Sequence, residues 1–348
     1  MSATPIDALA ATVSDLKPLL RGDSRALAFR KTLLAGPLDS LPARVLGVAE
    51  SILGPLRPSL ILPKARVSST LEAADGTTKW ALEFGDGQSA ETVLIPSRTR
   101  ATVCVSSQSG CTRACAFCAT ATLGFRRNLT AGEIVHQYLV ARAAASKRGM
   151  EATNVVFMGM GEPLDNLEPV LAAVRSLTDV FPGLSPRRVT VSTSGVVPKI
   201  RRFLNECRAS LALSLNASDD ETRTRIMPHN KTWPLDSIMT ALREATEERP
   251  RRFFVEYVQL PGVNDTEADA RRIAGLLRGL DCHVNVIPHN PFAGSPFRAP
   301  EREETLRFHE QIKQQGLTGI IRWPRGRDVA GACGQLALKG RGMNESGI

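Results

Sequence analysis

An α/β fold built on a mostly parallel sheet is predicted for this 348-residue chain by three observations. Apolar, β-branched stretches recur near 101–106, 153–158, 187–193, 209–215, 252–259, 283–288 and 318–323. Stretches of helical spacing alternate with them, near 131–147, 167–178, 197–206, 235–246, 264–279 and 302–315. Thr130 followed by Glu133 forms a capping box that opens the first of these helices. Strands apolar on both faces, joined by crossovers long enough to hold a helix, belong to parallel sheets covered by helices. Periodicity alone leaves a partial barrel, a full barrel and an open doubly wound sheet all standing.

The regions before this repeat differ in character. Residues 1–63 read as a helical accessory domain, with apolar residues at helical spacing in ALAFRKTLLA (26–35) and PARVLGVAESIL (42–53), divided by GPLDSLP. Residues 64–96 read as a small antiparallel β extension. RVSSTLEA, KWALEF and AETVLIP are its strands, and Asp75-Gly76 and Asp86-Gly87 its tight turns. Residues 97–325 form the core, and 326–348 a tail ending in KGRGMNESGI, which reads as frayed.

Composition narrows the class of function. An apolar content of 43% supports a sizeable core, and the net charge of +9 favours a polyanionic partner without identifying one. Charges and prolines interrupt every apolar run before it reaches the ~20 residues of a membrane span. The first residues lack the basic and apolar regions of a secretory signal, so a cytoplasmic location is expected. Seven cysteines, odd in number and partly clustered, fit a metal site in a reducing compartment better than a disulfide framework.

Cys111, Cys115 and Cys118 make a C-x3-C-x2-C arrangement directly after a predicted strand. Three soft thiolate donors within eight residues can wrap one metal centre. A structural zinc needs a fourth ligand, and the next histidine, His136, falls inside a predicted helix. Three cysteines therefore suit a [4Fe–4S] cluster with one open iron, with zinc and a remote ligand such as Cys104 as the alternative. Cys207 and Cys282 read as packing residues.

This spacing, with Phe117 before the last cysteine, resembles the radical S-adenosylmethionine (SAM) enzymes. That resemblance implies a partial (β/α)6-type barrel and SAM chelated at the open iron. It further implies that Gly161 and Glu162 (GMGEP), Ser192 and Ser194 (VSTSG), Ser214 and Asn216 (LALSLNA) and Asn290 (IPHNP) line the cofactor pocket.

The blocks CVSSQSGC, GFRRNLT, FMGMGEP, VSTSGVVP, EYVQLPGVND, VNVIPHNP and ACGQLA together resemble the dual-specificity adenine C2-methyltransferases of 23S rRNA and tRNA. By that resemblance the target is adenosine 2503 of 23S rRNA, adenosine 37 of tRNA, or both. Cys333 is then the cysteine that is methylated first and carries a methylene to the base. Cys104 resolves the covalent adduct by forming a disulfide with Cys333, and Glu91 is a carboxylate near the adenine. The implied partners are the RNA and an electron donor such as a flavodoxin system, with a monomeric enzyme and no membrane. Arg126, Arg127, Arg322 and Arg325 are candidate phosphate contacts at the mouth of a pocket that receives an extruded base.

Phe125, Pro163 and Ser194 favour the C2 branch over the relatives that methylate C8. The chain departs from the family pattern in three places. Ala121 replaces a glycine, Asn216 a histidine, and Arg327 an acidic residue. Residues 1–60 also resemble the family's RNA-engaging accessory domain only faintly. These departures keep a paralogue acting on another substrate as an alternative, and a non-enzymatic iron–sulfur or zinc RNA-binding protein as the reading from another class.

Overall fold

The structure is a computed structural model that describes residues 5–181 and 183–338. Its first unit holds a short strand β1 (Ile6–Asp7), helices α1 (Val13–Leu20), α2 (Asp23–Ala35) and α3 (Glu50–Leu56), and strand β2 (Leu60–Ile61), which pairs parallel with β1. The helix expected over 42–53 is present only from Glu50. Gly47 adopts a left-handed turn (φ +79°) between the bridged residues Val45 and Val48, which no helix accommodates. The fully buried Arg30 ties the unit to the rest of the molecule. Its guanidinium donates to the carbonyls of Ala8 and Leu9 and to Ser176 Oγ at 2.7 Å.

An antiparallel meander follows: β3 (Ala65–Glu72), β4 (Thr78–Phe84), β5 (Ser89–Ser97) and β6 (Arg100–Cys104). It turns at Asp75-Gly76 and Asp86-Gly87, with positive φ at both glycines. A small hairpin, β7 (Gln108–Gly110) with β8 (Phe125–Asn128), brackets the cysteine loop.

Strand–helix units then succeed one another: α4 (Ala131–Lys147), β9 (Glu151–Phe157), α5 (Leu167–Val180), β10 (Val189–Thr193), α6 (Val197–Glu206) and β11 (Ser210–Ser214). They continue through α7 (Asp220–Ile226), α8 (Leu235–Glu248), β12 (Phe253–Gln259), α9 (Glu267–Leu277), β13 (Cys282–Pro288), α10 (Arg302–Gln314) and β14 (Gly319–Ile321). The Thr130–Glu133 capping box is formed, with Thr130 N–H donating to Glu133 Oε2 at 2.8 Å.

All ten strands from β3 to β14, the hairpin aside, form one sheet in chain order, and its parallel part runs from β6 through β9 to β14. A doubly wound sheet reverses its strand order at a switch point, and this one does not. Sequential order with right-handed crossovers stacks every helix on one face. The helices accordingly pack as successive neighbours, α4 on α5, α5 on α6 and α6 on α8. The other face is left concave. Along β9 and β12, Val155, Phe157, Val255 and Tyr257 are buried toward the helices, so the alternate residues Asn154, Val156, Phe254 and Glu256 line the concavity. Among the described residues β3 and β14 stay at opposite edges, so the barrel is partial.

Candidate functional site

Two cavities occupy the concave face and share a wall. The first lies at the carboxyl ends of the parallel strands and is lined by Cys111, Cys115, Cys118, Gly161, Glu162, Ser192, Ser194, Ser214, Asn216, Asn290 and Cys333. All three cysteines and all seven residues expected around the cofactor therefore converge on one pocket. The second cavity, about 580 Å³, runs along the barrel interior and holds both Cys104 and Cys333. Met158, Glu256, Ile287, Asn290 and Cys333 line both.

The pocket is built by close backbone packing. Gly161 has φ +100°, and a Cβ there would stand 2.5 Å from Gln108 Cβ; at Gly159 it would stand 2.7 Å from Ser106 Oγ. The loop after β9 thus lies directly on the chain leading into the cysteine loop, as only glycine allows. Glu162 is held rigid, receiving hydrogen bonds from Ser194 N–H (2.8 Å), Ser194 Oγ (2.7 Å) and Leu164 N–H (3.0 Å). Asn216 sits at φ +57°, a conformation asparagine tolerates. Its Oδ1 accepts from Val258 N–H at 2.9 Å and its Nδ2 faces Met227 Sδ, so it also braces the pocket wall.

The cysteine loop is apolar and charge-compensated. Phe117, Met227, Leu260 and Ile226 form a separate buried cluster against Cys115 and Cys118. Burial pushes the Cys111 thiol up to about 12, and Cys115 and Cys118 are raised by the same cause. The fully buried Arg223 opposes this at Cys115, and its guanidinium is aimed by the carbonyls of Leu215, Ser194 and Ser214. Thiols this reluctant to ionise need a cationic partner to become ligands.

All seven cysteines are free. Among the described residues no three Cys, His, Asp or Glu side chains meet at metal-ligand spacing. The donor set still fits an iron–sulfur cluster, since three soft thiols of one loop line one pocket with an apolar cluster packed behind two of them. Cys104 lines the second cavity but not the first, which removes the remote fourth ligand that zinc would need.

Cys333 sits in the tail, stitched to the cysteine loop by Ala119 N–H on Gly334 O (2.7 Å) and Thr120 Oγ1 on Leu336 O (2.7 Å). Asn290 Nδ2 donates to Cys333 O at 3.2 Å, and Arg327 Nε donates to Asn290 Oδ1 at 2.9 Å. Arg327, one of the departures from the family pattern, thus fastens the tail to a pocket residue. Cys333 is exposed and lines both cavities, and desolvation by the protein around it, with Glu256 nearby, pushes its thiol up to about 11. Cys104 is at the end of β6 opposite Val93, and burial raises its thiol strongly.

Two residues expected at the site are engaged by other side chains of the structure. Glu91 lines neither cavity: its side chain is 1% exposed and pairs with Lys79 at 3.0 Å, because β4 and β5 bring the two together inside the meander. Its Oε2 has no hydrogen-bond partner, and it shares a strand face with Ile95, which does line the second cavity. Arg127 is not free for a phosphate, since Glu133 (2.8 Å) and Asp86 hold its guanidinium. Arg322 and Arg325 do line the second cavity.

Glu256 was not singled out from the sequence. It lies on the shared wall, accepts from Asn285 Nδ2 at 2.8 Å, and burial raises its carboxyl to about 7. A carboxyl raised above its ordinary value of 4.5 costs nothing below that value and destabilises the fold as pH climbs through 7, by up to about 3 kcal/mol. Glu256→Gln is therefore expected to raise Tm at pH 8, with the gain shrinking toward pH 5. An equal shift at both pH values in thermal melts would contradict this.

Comparison with known proteins agrees with this geometry. Residues 105–273 match the radical SAM superfamily model. A dual-specificity RNA methyltransferase RlmN of Alkalilimnicola ehrlichii is 46% identical over 285 residues, 81% of this chain and 79% of that protein. The chain belongs to the dual-specificity RNA methyltransferase family. Its Halorhodospira halophila relative of the same name is 47% identical over 273 residues, 78% of this chain and 75% of that one. A solved radical SAM methyltransferase from Sphaerobacter thermophilus superposes with a TM-score of 0.84 at 38% identity, covering 95% of this chain and 99% of that one. As a member of this radical SAM family the chain is an enzyme whose cofactors are a [4Fe–4S] cluster and SAM.

Proposed function

We propose that this enzyme methylates C2 of an adenine in RNA, in 23S rRNA, tRNA or both, by way of a methylated Cys333. The observation that carries the reading is the shared position of Cys333, which faces the cofactor pocket on one side and the cavity of Cys104 on the other. Cys111, Cys115 and Cys118 would hold the cluster, and Gly161, Glu162, Ser192, Ser194, Ser214, Asn216 and Asn290 the SAM. When bound, cluster and SAM supply a methyl group and a strongly oxidising carbon radical, the latter at the cost of one electron from a donor such as a flavodoxin system.

The protein's own part is transport and release. Cys333 takes the methyl group on its sulfur at the first cavity and presents it as a methylene toward a base in the second. The S-methyl group of Cys333 would give up one hydrogen atom to the carbon radical, and the methylene would add to C2 of the base. The adduct would then release one electron and the C2 proton, leaving a covalent link between Cys333 and the base. Cys104 thiolate attacks Cys333 sulfur and the S–C bond breaks with its electron pair going to the carbon on the base. That carbon takes a proton to become the methyl group, and a Cys104–Cys333 disulfide remains for external thiols to reduce. The apolar cluster of Phe117, Met227 and Leu260 packs on Cys115 and Cys118 and would shield the iron–sulfur side of the first cavity from water.

Incubating the anaerobically reconstituted, reduced enzyme with SAM and 23S rRNA-fragment or tRNA substrates, then analysing nucleoside digests by mass spectrometry, tests this. 2-Methyladenosine is expected. 8-Methyladenosine would move the protein to the other branch, and no modified base alongside 5′-deoxyadenosine would overturn the RNA reading.

A further inference from the structure

The mouth of the second cavity carries a feature that the chemistry above does not use. Trp323, in the turn that leaves β14, is 40% exposed at the rim. The guanidinium of Arg302, at the start of α10, lies over one face of the indole, 4.7 Å from its ring centroid. Arg187, Arg188, Arg322 and Arg325 share the rim. Arg322 leans on Asn285 Oδ1 (3.0 Å) and Arg325 on Asp75 (3.4 Å), whereas no carboxylate pairs with Arg187 or Arg188 among the described residues. A large aromatic surface beside several unneutralised cations fits an anionic, π-faced ligand.

We infer that Trp323 is a stacking platform for the nucleobase that flanks the target in a single-stranded RNA segment, with the rim arginines on its phosphates. The inference rests on the RNA reading given above. A target base must enter the cavity to reach Cys333 and Cys104, and unstacking it strips its neighbour of a partner. The indole offers that neighbour a replacement surface at the point where the strand leaves the cavity. Stacking of this kind is tolerant of base identity and salt-insensitive, whereas the arginine contacts weaken as salt rises.

The test uses the full-length reconstituted enzyme and a single-stranded RNA oligonucleotide with one central adenosine, alongside the same oligonucleotide made abasic at one flanking position. Trp323→Ala is expected to raise Kd and KM for the intact oligonucleotide about 10-fold, with kcat little changed. Trp323→Phe, which keeps a ring, should recover most of that loss. RNA should also quench the tryptophan emission of the wild type more than that of Trp323→Phe, which retains only Trp80 and Trp233. The abasic substitution on the stacked side should weaken wild-type binding but add nothing in Trp323→Ala. Unchanged Kd and quenching in the variants, with RNA still bound, would overturn this inference alone. Failure of every protein to bind RNA by anisotropy would overturn the RNA reading with it.

Discussion

Cys333→Ala is expected to reduce methyl transfer on the order of 10⁴-fold or more, the scale of losing a covalent carrier, while leaving the cluster and the fold in place. The side chain faces two cavities and, among the described residues, makes no hydrogen bond that holds the tail. The tail is fastened through backbone groups of Cys333, Gly334 and Leu336, which alanine keeps. Cys104 cannot substitute as carrier, because it does not line the cofactor pocket. Iron content, the visible absorbance of the cluster and Tm should match the wild type while RNA methylation falls to background. Methylation within 10-fold of wild type would remove Cys333 from the pathway.

Cys104→Ala should have a different signature. With the resolving thiol gone, the bond between Cys333 and the base has no nucleophile to break it, so one RNA is captured per enzyme and turnover stops. A species combining protein and RNA should persist through denaturing electrophoresis and disappear on ribonuclease treatment. Multiple turnover by this variant without such a species would end the role assigned to Cys104. The double variant with Cys333→Ala should capture no RNA, which separates this adduct from nonspecific crosslinking.

Much of the architecture was readable because parallel strands carry their signal locally. Val155 and Phe157, or Val255 and Tyr257, are apolar and β-branched or aromatic wherever the strand is covered by helices. The predicted α/β class and partial barrel stand. The helix expected over 42–53 failed because apolar spacing outweighed Gly47 in the reading, whereas a left-handed turn at that residue decides the backbone. In the site, the cysteine loop and the GMGEP and VSTSG segments were legible because each is a short contiguous stretch. The Glu91–Lys79 pair was not, since it is set by the register between β4 and β5. Glu256 and Arg223 were missed for a related reason. Glu256 acts by entering a cavity and Arg223 by reaching the carbonyls of two distant strand ends, although a lone Glu between Val255 and Tyr257 in an apolar strand was a usable signal.

The central claim is that the transferred carbon passes through Cys333, and a label-transfer measurement addresses it most directly. Enzyme incubated with SAM carrying a trideuteromethyl group, and then freed of SAM, is digested and the peptide containing Cys333 analysed by mass spectrometry. The account predicts a trideuteromethyl group on Cys333. On addition of RNA and unlabelled SAM under reducing conditions, the first methyladenosine formed should carry two of those deuteriums, since one is lost when the methyl becomes a methylene. An unlabelled Cys333, or a first product bearing only the carbon of the second SAM, would contradict it.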